Sequence, residues 1–169
     1  MLHIGGALPE TVDFFSRYRC KLHFIDLFGD LPELQPGDDA GASLPQRLSG
    51  LLHIPEGTRF DLCLFWDLFN FLGRDAIAGL LDILRPHLHR DSLGHCLAVH
   101  SLKAPQSGKV YGIKELDQVS LRPRPAPLPG YNPYNQGQLE KLLDCFRITR
   151  SVLLAESRLE LLLAANLRR

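Results

Sequence analysis

Between residues 2 and 26 the chain writes an apolar run, Leu2-His3-Ile4, a break at Gly5-Gly6-Ala7, a helix-like stretch, and a second apolar run, Leu22-His23-Phe24-Ile25, that ends on Asp26. This order predicts two neighbouring parallel strands with a crossover helix, and a ligand site at the first turn. Glycine lets that turn tighten and lets backbone approach a ligand. An acid at the end of the second strand can accept hydrogen bonds from a ribose diol, so the stretch reads as a nucleotide-type site. Pro9 suits the first turn of the helix, where a missing N–H is harmless. Glu10 early and Arg17 late agree with the helix dipole. Val12 and Phe15 are expected to share the face toward the sheet, and Cys20–Asp26 is the expected second strand.

The rest of the chain continues the alternation. Residues 29–43, with Pro32, Pro36, Gly37 and Gly41, predict an irregular connection. Leu44, Leu48, Leu51 and Leu52 recur at helical spacing. Phe60 to Trp66 is almost continuously apolar, as a strand covered on both faces should be. Ile77, Leu80, Leu81 and Leu84 form the inner stripe of a helix opened by Asp75, and Leu93–Val99 supplies the next strand. Residues 103–134 are rich in Pro, Gly and basic side chains and read as a second irregular loop. A short helix over Gln138–Leu143 precedes two runs, Phe146–Leu154 and Leu159–Ala165, that predict an antiparallel hairpin. The expected fold class is α/β, a single three-layer domain over residues 1–169 with a mostly parallel sheet.

Composition narrows the partners. Nineteen basic residues balance nineteen acidic ones, and nucleic acid is not expected. No apolar run approaches the roughly 18 residues of a membrane span. The start Met1-Leu2-His3-Ile4-Gly5 lacks the basic opening and long apolar centre of a signal peptide, so a cytoplasmic protein away from membranes is expected. Cys20, Cys63, Cys96 and Cys145 form no C-x-x-C pair and read as reduced, buried thiols. His87 and His89 have no partners at ligand spacing, and no metal is expected.

Four segments in this order resemble the class I S-adenosylmethionine-dependent methyltransferases, a Rossmann-like family whose parallel sheet ends in an antiparallel hairpin. Leu2-His3-Ile4-Gly5-Gly6-Ala7 is similar to the family's first glycine motif, and Asp26 to the acid that holds the ribose hydroxyls. Phe60-Asp61-Leu62-Cys63-Leu64-Phe65-Trp66-Asp67-Leu68-Phe69-Asn70-Phe71-Leu72 resembles the segment around the family's fourth strand. Ile83-Leu84-Arg85-Pro86-His87-Leu88 resembles the stretch before its fifth. The resemblance implies S-adenosylmethionine as cofactor, held by Gly5, Gly6 and Asp26, with Trp66 or its neighbour Phe65 lining the adenine or substrate pocket. Asp67 and Asn70, on the substrate side, are the candidate catalytic groups. A base is required only where the nucleophile must lose a proton, because positioning supplies much of a methyl transfer.

The chain also departs from the family pattern. Its glycine motif stops at Gly6, and both glycines of the turn before the fifth strand are replaced by His87 and Leu88. The interval of the usual third strand holds a proline-rich loop and a helix, so that strand is expected to be missing. Asp38 or Asp39 is the substitute for the adenine-binding acid in that interval. Arg122, Arg124, Tyr131 and Tyr134 lie in the long loop that can close over the site. Two readings stay open: a methyltransferase acting on a small molecule or protein side chain, and a catalytically silent module that binds a partner or forms a homodimer through an exposed sheet edge.

Overall fold

A computed structural model describes residues 1–35, 41 and 43–167. Strands β1 (Leu2–Ile4), β2 (His23–Ile25), β3 (Leu62–Trp66), β4 (Leu93–Val99), β7 (Phe146–Leu153) and β8 (Arg158–Ala165) form one sheet in the order β2-β1-β3-β4-β8-β7. The first four run parallel, with Leu2 opposite both His23 and Cys63, and β8 pairs antiparallel to β4 and β7. Among the described residues β2 is the outermost strand on that side of the sheet.

Side-chain alternation along the strands divides the core in two. Leu2, Ile4, Cys63, Phe65, Cys96 and Ala98 point to one face. There they meet the helices α3 (Leu44–Leu52), α4 (Arg74–Leu84) and α5 (Gln136–Leu142). Ile77, Leu80, Leu81 and Leu84 of α4 are fully buried, each worth about 1.5–3 kcal/mol of apolar burial. Pro86 ends α4, and capping boxes start α3 at Ser43 and Gln46 and α5 at Asn135 and Gln138. The short α2 (Leu31–Leu34) follows β2. On the other face Met1, Leu64, Trp66, Leu97 and Tyr111 make a second, smaller cluster, with Phe15, Leu22, Leu62 and Ile113 packed against it.

That smaller cluster is covered by α1 (Pro9–Ser16) and by an element the sequence reading missed. Within the expected loop 103–134, β5 (Lys109–Glu115) and β6 (Gln118–Pro123) pair as an antiparallel hairpin. The hairpin docks on α1 through Gly112. A Cβ at Gly112 would lie 2.6 Å from Thr11 Oγ1, and its absence lets the Thr11 hydroxyl accept the Ile113 N–H at 2.9 Å. Arg122 grips Glu10 through two nitrogens at 3.0 and 2.6 Å, and Arg17 meets Glu115 at 3.0 Å. Because α1 packs on the hairpin as well as the sheet, Thr11 and Phe14 are its buried residues, whereas Val12 is exposed.

Other boundaries shift too. The second strand keeps only His23–Ile25 of the expected Cys20–Asp26. The connection 29–43 contains α2, and Asp38 and Asp39 lie outside the described residues. Cys63, Cys96 and Cys145 are buried free thiols, but Cys20 is exposed. At the far edge of the sheet β7 carries a bulge between Ile148 and Arg150, beside Arg147 and Arg150, which disrupts and charges that edge. Among the described residues no helix is long and apolar enough to cross a membrane.

Candidate functional site

The first turn has the geometry its glycines foretell. Gly5 closes β1 by donating its N–H to the Ile25 carbonyl at 2.8 Å, and its φ of +124° is open to glycine but not to L side chains. A Cβ at Gly6 would face the Asp26 carboxylate at 3.8 Å, so Gly5, Gly6 and Asp26 do converge. Among the described residues Asp26 makes no side-chain hydrogen bond or ion pair. The turn is not bare. Phe28 Cε2 comes within 3.7 Å of where a Gly5 Cβ would be, and the Arg124 guanidinium lies over the Phe28 ring, 4.4 Å from its centroid.

Trp66 is on the opposite face of the sheet from Phe65, and both are buried. Its indole N–H donates to His3 Nε2 at 3.1 Å, its ring stacks on Tyr111 (5.4 Å, 12°), and the edge of His95 meets it at 5.2 Å. His3 Cε1 also lies 3.6 Å from where a Gly5 Cβ would be, so one imidazole stands between Trp66 and the first turn. Burial holds the His3 pKa down to about 4, which keeps Nε2 free to accept.

Asp67 and Asn70 follow β3 into a 3-10 turn, Leu68–Phe71, but their surroundings differ. Asp67 is buried. Its Oδ2 accepts from the Ser107 hydroxyl at 3.0 Å, and its Oδ1 has no partner among the described residues. Burial pushes its pKa up, opposed by the positive charge of Arg124 and the bond from Ser107. Asn70 instead is saturated by backbone: its amide donates to Leu97 O at 3.0 Å and its Oδ1 accepts from Tyr134 N at 3.3 Å. It fastens β4 to the segment before α5. The remaining loop candidates are also engaged, Arg122 on Glu10, Tyr131 hydroxyl on Ala104 O and Tyr134 hydroxyl on Leu72 O.

His3, Phe28, Ser107 and Tyr111 escaped the sequence reading. His3 was detectable, since a polar residue between two buried strand neighbours must point to the opposite face. Tyr111 and Ser107 depended on recognising the hairpin, whose signal is the alternation Val119-Ser120-Leu121-Arg122.

No protein-family model matches the chain, and no curated protein matches its sequence. Solved structures do. The Burkholderia thailandensis 1,6-didemethyltoxoflavin-N1-methyltransferase, with bound 1,6-didemethyltoxoflavin and S-adenosylhomocysteine, matches 98% of this chain and 70% of its own at a TM-score of 0.53 and 13% identity. The PH0226 protein of Pyrococcus horikoshii OT3 matches at a TM-score of 0.45 and 10% identity, over 89% of this chain and 62% of that one. The pyocyanin biosynthetic protein PhzM matches at 0.42 and 16% identity, over 75% of this chain, which spans only 34% of PhzM. The first of these likenesses shows the fold: this chain has the class I S-adenosylmethionine-dependent methyltransferase architecture.

Proposed function

We propose that this chain binds an S-adenosyl compound at the turn between β1 and α1 and serves as a methyltransferase for an acceptor still to be identified. One observation carries the reading: Gly6, next to the left-handed Gly5, sits beside the Asp26 carboxylate. In this reading Asp26 takes the ribose hydroxyls and Gly5-Gly6 border the carboxypropyl arm of the donor. When bound, S-adenosylmethionine supplies an electrophilic methyl group. The chain's own contribution on the acceptor side is Asp67, whose raised pKa suits it to take a proton from a nucleophile. Asn70 acts by positioning β4.

A second reading, a catalytically silent module, is favoured by the covering of the same turn. Phe28 lies against Gly5, and Arg124 covers the outer face of the Phe28 ring. On that reading the exposed β2 edge, three residues long, is the surface for a partner or a second copy.

Calorimetry with S-adenosylhomocysteine and S-adenosylmethionine separates the two. Micromolar binding that is lost in Asp26→Ala, with an unchanged melting temperature, supports the donor site. Absence of heat at millimolar ligand sinks it. A mass that rises with concentration in light scattering then supports the module.

A further inference from the structure

A cavity of about 310 Å³ lies between the β5–β6 hairpin and the β4–β8 part of the sheet, and none of Gly5, Gly6 or Asp26 lines it. Its floor is the stacked pair Trp66 and Tyr111, and its walls are Leu97, Val119, Leu121 and Leu154. The volume falls at the lower end of the ~300–1,000 Å³ typical of small-molecule sites. Val119, Leu121 and Leu154 are 47%, 57% and 42% exposed, so large apolar side chains surround a mouth that faces water.

The backbone at Trp66 is strained to build this floor. Its φ is +53°, and the register between β3 and β4 shifts between Leu64 and Trp66. A bulky aromatic residue in that region is an outlier costing ~1–3 kcal/mol, and such strain gathers where a site must be shaped. The bulge aims a residue, as bulges near sites do.

The chemistry of the lining selects by charge. At the rim Lys109 and Arg158 are balanced by Glu156 and Glu160, and Arg158 is already spent on Tyr131 and Pro105 while Glu160 holds His95 at 3.0 Å. Burial lowers the His95 pKa against the opposing pull of Glu160, and pushes the Tyr111 phenol up to about 12, with Asp67 adding to the latter effect. Ser107 gives its proton to Asp67 Oδ2, so the neutral donor of the inner lining is the Tyr111 phenol, while the charges of Lys109 and Glu156 stand at the rim. An ionic ligand seated among Trp66, Leu97 and Tyr111 would lose its hydration to apolar side chains, whereas a flat apolar ring with a polar edge loses little.

We propose that this cavity binds a planar, uncharged heteroaromatic small molecule, seated beside Trp66 with its polar edge toward the Tyr111 phenol. The site is independent of the donor reading and stands or falls separately from it.

Quinoline at pH 7.5, where it is uncharged, is a suitable probe, followed through the indole N–H resonance of Trp66, the only tryptophan in the chain. We expect saturable shifts at submillimolar to millimolar concentration, the range open to so small a ligand. Quinoline-2-carboxylate and the non-planar cyclohexanol should each bind at least about tenfold more weakly, a difference of ~1.4 kcal/mol. Ala155→Phe, at the exposed β7–β8 turn that lines the mouth, should weaken quinoline by a similar factor without changing the melting temperature. The proposal is overturned if the Trp66 resonance stays fixed up to saturating quinoline, if either control binds as well, or if Ala155→Phe binds unchanged. Quinoline binding without any S-adenosylhomocysteine binding would remove the donor reading alone.

Discussion

Mild acid should cost the fold stability because the buried His3 must stay neutral to accept from Trp66. An indole N–H only donates, so His3 Nε2 must offer a lone pair, which an imidazolium lacks. The ring is 1% exposed and its pKa is about 4 against an ordinary 6.5. As pH falls below 6.5 the unfolded chain takes up the proton while the folded chain refuses it until about 4, so stability is full above 6.5 and declines through that window. At ~1.4 kcal/mol per pH unit the whole interval is worth about 3 kcal/mol, and about 2.5 by pH 4.5. Against a typical 5–15 kcal/mol for a domain this is a large share. Urea unfolding at pH 7 and pH 4.5, followed by Trp66 fluorescence, measures it. The comparison is His3→Gln, whose amide oxygen can accept from the indole and does not titrate. His95 and the carboxylates titrate in both proteins and cancel. The parent should lose about 2.5 kcal/mol more than the variant between the two pH values. Parallel pH profiles would refute the argument.

Three further outcomes are expected. Asp67→Asn should stabilise the protein at pH 7 by on the order of 1 kcal/mol, the scale of one poorly satisfied buried group. Because burial raises the Asp67 pKa, the gain should shrink as pH falls and vanish once the unfolded carboxyl is protonated, near pH 4, as melting temperatures will show. Asn70→Ala leaves Leu97 O and Tyr134 N without their partner and should cost ~2–4 kcal/mol in denaturant unfolding; a smaller loss would mean those bonds are replaced. Gly112→Ala forces a methyl against Thr11 and Leu8, at 2.6 and 2.9 Å. The Ile113 amide should then exchange with deuterium at least about tenfold faster, as expected of a locally loosened element.

The sheet was legible because burial on both faces leaves a plain mark. Phe60 to Trp66 and Leu93 to Val99 are apolar but for Asp61 and His95, and the Leu44–Leu52 stripe announced α3 to the residue. The turn at Gly5, Gly6 and Asp26 was legible for a different reason, since glycine and a strand-end acid mark close backbone approach. The β5–β6 hairpin was not, because it is only half covered: its alternation is diluted by exposed Lys109, Lys114 and Gln118 and flanked by prolines. Missing the hairpin also hid Tyr111 and Ser107, and with them the role of Trp66 as a floor on the sheet face. Asn70 carries a polar side chain near the strand ends for a reason sequence does not show, the satisfaction of two backbone groups across the top of β4.

The grip of Glu10 on Ser120 and Arg122, of Arg17 on Glu115 and of Thr11 on Ile113 means that the hairpin is tethered to the very helix that starts at the glycine turn. Helix and ribbon must therefore travel as one piece. The roof of the aromatic chamber and the helix that follows Gly6 thus share one set of anchors, and a substitution that cuts them loosens both.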